Sequence, residues 1–204
     1  APKLPIKTLF HPLYDDLTKK PEKKIAREKL GIPVNAKNIV LFFGLIRPYK
    51  GLEVLLKATN LLSEDTHLII AGECYGSWDK YEKIINGSKA KSRIHVFNRF
   101  IPDEQLGEFF VAADLVALPY LSASQSGVTA TAIQYDLPIV ASNVGDLSNS
   151  ITNGKTGALV APGDSKALGE AIEAWFSEDH TGLGEAYAKL KASKSWEEFA
   201  RQLF

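Results

Sequence analysis

The chain's strongest constraint on its own fold is the stretch IVLFFGLIRPYKGLEVLL, residues 39–56. A β-rich apolar run, Ile39 to Phe43, stops at Gly44. Six residues then pass before Gly51 opens a segment with Leu52, Leu55 and Leu56 at helical spacing. That order predicts strand, loop and helix of a parallel α/β unit. The loop places Arg47 and Lys50 just before a helix N-terminus, whose unpaired N–H groups and positive partial charge already suit an anion. A guanidinium and an ammonium beside it would suit a diphosphate. The alternative from this loop alone is that both side chains are simply solvated.

With 204 residues, 45% hydrophobic and 24% charged, the chain can bury a full core as one domain. Net charge is zero, which argues against a nucleic-acid-coating protein and makes any anion site a local concentration of charge. One cysteine, Cys74, excludes an internal disulfide framework and fits a reducing compartment. His11, His67, His95 and His180 show no ligand spacing, so no structural metal is expected. No apolar run approaches membrane-spanning length and no signal peptide is visible. Methionine is absent, position 1 included, which fits a piece cut from a longer chain.

Strand and helix signals alternate along the sequence. A short strand is expected within 5–14 and a helix opening at Pro21 and closed by Gly31. The central unit's helix should end near Leu62. Strands are expected at 68–72, 94–100, 115–119, 138–142 and 158–160, with helices around 79–85, from Asp103, after the 120–128 loop, from Asp164, over 185–192 and from Ser195. Ser195 and Glu198 form a capping-box pattern ahead of a stripe of Phe199, Ala200 and Leu203. That stripe could cover this domain's own sheet or lean on a partner domain. The basic run Lys80–Arg93 reads as a solvated face, with contact to anionic lipid as the alternative.

Alternating strands and helices imply a doubly wound, Rossmann-like α/β domain with helices on both faces of a parallel sheet. Ligands then sit outside the carboxyl ends of the strands. The loop YLSASQSGV (120–128) belongs to that edge, and the N–H groups of Ser126, Gly127 and Val128 could face a polyol or phosphate, or form an ordinary serine-rich helix start.

GLIRPYKGLEVLLKA, LIIAGE, FIPDEQLGEFFVAADLVALPY and DLPIVASNVGDLSNSITNGKTGALVAPGD, in this order, resemble the donor-binding half of the family 4, group 1 retaining glycosyltransferases of GT-B architecture. The resemblance spans about 39 to 176. It implies a linker strand and helix over 1–38 leading from a missing N-terminal acceptor domain. It further implies a donor-binding domain over 39–180, and C-terminal helices over 181–204 packing toward the missing domain. Lys50 matches the lysine that holds the donor's diphosphate in this family, with Gly44 ending the strand before it. The arginine that usually follows this glycine is Leu45 here, and Arg47 is the candidate replacement. Arg99, Phe100 and Ile101 fall where the family meets the nucleobase. The paired glutamates flanking the small-residue loop correspond to Ala123 and Thr131, and Asn149 stands where another glutamate is common. Gln125, Ser126 and Thr131 are therefore candidates for neutral contacts to the sugar and ribose.

The implied reaction is transfer of a hexosyl-type sugar from a UDP-, GDP- or ADP-linked donor to a glycan or lipid-linked acceptor. It would proceed with retention and without metal or other cofactor, in surface polysaccharide biosynthesis. The implied setting is cytoplasmic, with peripheral contact at the inner face of the membrane and no nucleic acid partner. The isolated piece should bind donor without turnover. Two other readings stay open: a nucleotide-binding module without transfer, and a Rossmann-like oxidoreductase domain. Against the second, no GxGxxG follows any expected strand.

Overall fold

A computed structural model describes residues 9–10, 12–13 and 20–203. Most of the strand expected within 5–14 lies outside these residues. In chain order the regular elements are α1 (Lys23–Lys29), β1 (Asn38–Phe43), a single tight turn at Pro48–Lys50, α2 (Leu52–Thr59), β2 (Thr66–Ala71) and α3 (Asp79–Asn86). There follow β3 (Ile94–Phe97), α4 (Asp103–Ala112), β4 (Leu115–Leu118), α5 (Gly127–Gln134), β5 (Ile139–Ser142) and α6 (Leu147–Ser150). The chain closes with β6 (Gly157–Val160), α7 (Ser165–Ser177), α8 (Leu183–Ser193) and α9 (Trp196–Leu203).

The strands form one parallel sheet in the order β3-β2-β1-β4-β5-β6. Side chains alternate across a strand, and both faces are covered, so each central strand reads as continuous apolar sequence. Ile39, Leu41, Ile69, Val116 and Leu118 face Ala26 of α1, Phe109 and Phe110 of α4, Ile133 of α5 and Tyr187 of α8. Val40, Phe42, Leu68, Ile70 and Ala117 face Leu52 and Leu55 of α2, Tyr81 of α3 and Leu168 and Ile172 of α7. This is the doubly wound α/β architecture that the alternation implies. Its direction reverses between β1 and β4, so their carboxyl ends border the crevice where ligands of such sheets sit.

Several limits differ from expectation: α8 begins at Leu183 rather than 185, and β3 ends at Phe97 rather than 100. α1 begins at Lys23 rather than Pro21, because Glu22 stays extended as the cap residue. α2 ends at Thr59 rather than Leu62. The N–H groups of Asn60, Leu61 and Leu62 donate to carbonyls three residues back, tightening the last turn out of α geometry. Two signals are realised as atoms. Asp164 Oδ1 accepts from the N–H of Ala167 at 2.9 Å, and Ser195 Oγ accepts from the N–H of Glu198 at 3.1 Å.

α9 has no buried residue. Trp196 and Leu203 are half exposed, and Phe199 packs edge-on against Phe10 and Trp196. The described residues therefore leave much of this apolar stripe uncovered. No helix of the described residues is long and apolar enough to cross a membrane.

Candidate functional site

Gly44 ends β1 with φ +98°, a conformation side chains rarely adopt. A Cβ there would lie 2.9 Å from Lys50 Nζ and 3.5 Å from Val128 Cγ2. The bare glycine thus leaves room for an ammonium directly over the end of the strand. Gly51, at φ +69°, reverses the chain so closely against β4 that a Cβ would meet the Pro119 carbonyl oxygen at 1.9 Å. Leu121 N–H donates to the Tyr49 carbonyl at 2.7 Å. These contacts pin the cationic turn across the β1–β4 crevice.

Lys50 is buried, yet its ammonium has no hydrogen bond or ion pair among the described residues. The Tyr120 ring lies 5.4 Å from Nζ. Burial first, and the Arg47 guanidinium second, push the Lys50 pKa below the ordinary lysine range. Tyr120 is itself pushed up to about 12 by burial, so it presents a neutral hydroxyl, 3.4 Å from Ser126 Oγ.

Ser126 caps α5 from an extended conformation without a side-chain cap bond. The N–H groups of Ser126, Gly127 and Val128 make no hydrogen bond among the described residues, as the first donors of a helix do when they await a ligand or water. Gln125, Ser126 and Gly127 also border a cavity of about 120 Å³ closed by Thr129, Asp146, Ser150 and Lys194. Thr131 turns inward, its hydroxyl donating to the Gly127 carbonyl at 3.1 Å, and is only 7% exposed. Its remaining capacity toward a ligand is a lone pair.

Arg99, Phe100 and Ile101 follow β3, two strands from β1 on the same edge. Arg99 donates to the Phe100 carbonyl at 3.1 Å and to Gln105 Oε1 at 2.8 Å, while Phe100 projects into solvent and Ile101 is buried. The geometry thus gathers Gly44, Lys50 and Val128 at one point, with Arg47 and Ser126 beside it, while the 99–101 loop follows the strand two places along the same edge. Tyr120, Tyr75 and Thr129 were not among the expected site residues. Tyr120 heads the quoted YLSASQSGV loop and could have been found there. Among the described residues the buried Thr129 hydroxyl has no hydrogen-bond partner, which no local sequence signal announces. Among the described residues no group of three or more His, Cys, Asp or Glu side chains is placed to hold a metal ion.

The sequence profile of the family described as "Glycosyl transferases group 1" matches residues 37–178. The chain belongs to this family. It is 34% identical over 188 residues to the D-inositol 3-phosphate glycosyltransferase of Corynebacterium urealyticum, covering 87% of this chain and 44% of that protein. The chain therefore spans about half the length of the curated relatives it matches. Anabaena HepE, solved in complex with UDP and glucose, superposes with a TM-score of 0.77 at 22% identity over 91% of this chain and 52% of its own. The C-terminal domain of LpcC, a group 1 family protein of Francisella tularensis, gives a TM-score of 0.70 at 19% identity over 85% of this chain and 92% of that one. Those two likenesses are of fold. Together with the relatives' lengths they identify the chain as a C-terminal half of the GT-B architecture.

Proposed function

We propose that the chain is the donor-binding half of a retaining, hexosyl-type glycosyltransferase, and that the β1–β4 crevice takes the diphosphate of a nucleotide sugar. One observation carries this reading: Lys50 is a buried ammonium with no anionic partner among the described residues, held over Gly44 beside the open N-terminus of α5. An unpaired buried charge destabilises a fold, so its retention is accounted for by a ligand that completes it. Arg47 supplies a second cation, and a doubly charged diphosphate would answer both.

The chemistry follows from charge. Breaking the sugar–phosphate bond leaves negative charge growing on the departing nucleoside diphosphate. Preorganised cations and helix N–H groups in a crevice with restricted water stabilise that charge more than they stabilise the ground state. Loss of one such donor costs about 2.7–4 kcal/mol of barrier in comparable sites. The acceptor must be oriented by groups outside this half, so the chain alone should bind donor without transferring sugar. Relatives twice as long support that division. UDP is the diphosphate carried by HepE, and UDP, GDP and ADP donors all remain to be compared. The relative's name adds a phosphorylated polyol to the glycan and lipid-linked acceptors considered for the whole enzyme, with surface polysaccharide assembly at the cytoplasmic face as its setting.

Calorimetric titration with UDP-, GDP- and ADP-sugars beside NAD tests this. One nucleotide sugar should bind and NAD should not. Lys50→Ala should weaken that binding about 10- to 100-fold, the range of a charge-assisted hydrogen bond, while the chain stays folded. Unchanged affinity would remove Lys50 from the site. A second reading, a nucleotide-binding module without transfer, draws on Ala123 and on a Thr131 hydroxyl bonded within its own helix. Donor binding with no turnover even by the full-length protein would favour it.

A further inference from the structure

We infer that Tyr75 is a positioning residue whose ring holds the Arg47 guanidinium at the mouth of the diphosphate crevice. The inference rests on the donor-binding reading above and extends it to the loop after β2.

Throughout the β1–β2 pair each residue's partner lies 28 positions on, from Asn38 with Thr66 to Phe43 with Ala71. That register survives beyond both strands, because Ile46 bridges to Cys74 in parallel fashion. Ile46 N–H donates to the Glu73 carbonyl at 2.8 Å, Tyr75 N–H donates to the Ile46 carbonyl at 3.1 Å, and the Ile46 side chain is fully buried. Cys74 N–H donates to Asn98 Oδ1 at 2.9 Å, tying the second loop to the one after β3. The next pair in this register is Arg47 with Tyr75. Side chains at directly opposed positions project to the same side, so the backbone itself brings the guanidinium to the ring.

The Arg47 Cζ atom lies 4.5 Å from the Tyr75 ring centroid. Among the described residues its guanidinium makes no hydrogen bond or ion pair, and its side chain is exposed. Such a side chain would ordinarily sample many rotamers and turn away from a second cation. Here the second cation is Lys50, three residues on, and Arg47 is close enough to act on it. The negative face of an aromatic ring offsets that repulsion without neutralising either charge. A carboxylate in the same place would hold Arg47 equally well but would compete with an incoming diphosphate. A tyrosine ring holds the cation and leaves its N–H edge free. Tyr75 is itself exposed, and among the described residues its one cation–π contact is the one to Arg47.

The test compares wild type, Tyr75→Phe, Tyr75→Leu, Arg47→Ala and Arg47→Ala/Tyr75→Leu by calorimetry with UDP, GDP and ADP. The Lys50 ammonium is titrated in each ligand-free protein by NMR. Tyr75→Leu should weaken diphosphate binding about two- to five-fold, the range of an exposed cation–π contact. Tyr75→Phe should bind as wild type. In the Arg47→Ala background the leucine should add nothing. In the ligand-free proteins, Tyr75→Leu and Arg47→Ala should both let Lys50 titrate at higher pH than wild type. The inference is overturned by an equal loss from Tyr75→Leu with and without Arg47, by unchanged or tighter binding, or by a Lys50 titration indifferent to Tyr75. Were wild type to bind no nucleoside diphosphate, the donor-binding reading would fall, and the Lys50 titration would still decide the role of Tyr75.

Discussion

Lys50 concentrates the competing demands on this chain in one residue. Its pKa is lowered in the folded state, so folding is disfavoured by the charged form. That penalty is fully present below the folded pKa and disappears as pH rises toward the ordinary lysine value, where the unfolded chain also loses its proton. A bound diphosphate reverses the balance by favouring the ammonium. Two consequences follow. Nucleotide affinity of the wild type should fall as pH rises through the lowered pKa, before ordinary lysines titrate, and Lys50→Ala should flatten this dependence. Lys50→Met, which fills the same space without charge, should make the ligand-free chain more stable by about 1 kcal/mol while weakening nucleotide binding. Thermal unfolding with and without nucleotide reads both effects. A methionine variant less stable than wild type would mean that the ammonium is already satisfied within the fold.

At the scale of elements, the Tyr187 hydroxyl ties α8 to the sheet. Tyr187, 1% exposed, donates to the Leu137 carbonyl at 2.5 Å and lies 3.1 Å from the Thr156 carbonyl, at the entries to β5 and β6. Thr156 keeps a second donor, the N–H of Ile139 at 3.1 Å. Tyr187→Phe should therefore strand mainly the Leu137 carbonyl, lowering stability by about 1–3 kcal/mol in denaturant unfolding and leaving nucleotide affinity unchanged. The elements themselves were largely legible in the sequence. Buried parallel strands appear as apolar runs, and Asp164 and Ser195 mark helix starts with side-chain acceptors. α6 was not legible, because four residues within GDLSNS are too few for a periodic pattern. The placement of Gly44, Lys50 and Ser126 at the candidate site was legible because it is local. Placement that depends on register was not: nothing in RPYK or ECYGS says that Arg47 and Tyr75 are opposed. Nor does the sequence show that the Thr131 hydroxyl bonds back to Gly127 rather than outward.

Across the whole molecule, particular cations differ in how they are answered. At the carboxyl edge Lys80 pairs with Glu53 at 2.8 Å, whereas Lys50 and Arg47 stand without anions among the described residues. Toward the amino edge cations are answered: Arg27 donates to Asp114 at 2.9 Å and to the carbonyls of Ala112 and Ala36, and Lys191 pairs with Asp136 at 2.7 Å. On the same side His67 of β2 and His95 of β3 stack with Nδ1 and Nε2 3.0 Å apart, a contact that needs at least one neutral ring nitrogen. Desolvation lowers both pKa values, with Arg93 and Arg27 adding to the effect on His67 and the His67 ring adding to that on His95. Because the folded state takes up these protons later than the unfolded chain, the pair's contribution is fully present above the ordinary histidine pKa and is lost as pH falls toward the lowered values. Stability should then decline between about pH 7 and about pH 5, the window in which unfolded histidines charge. The His67→Gln/His95→Gln variant should show a shallower decline in denaturant midpoints over the same range. Nucleotide affinity at the opposite edge should be alike in the two proteins at each pH. Parallel slopes would place the acid-sensitive groups elsewhere, whereas a shallower slope with unchanged affinity would mean that the two edges titrate independently, acid acting on the scaffold and base on the site.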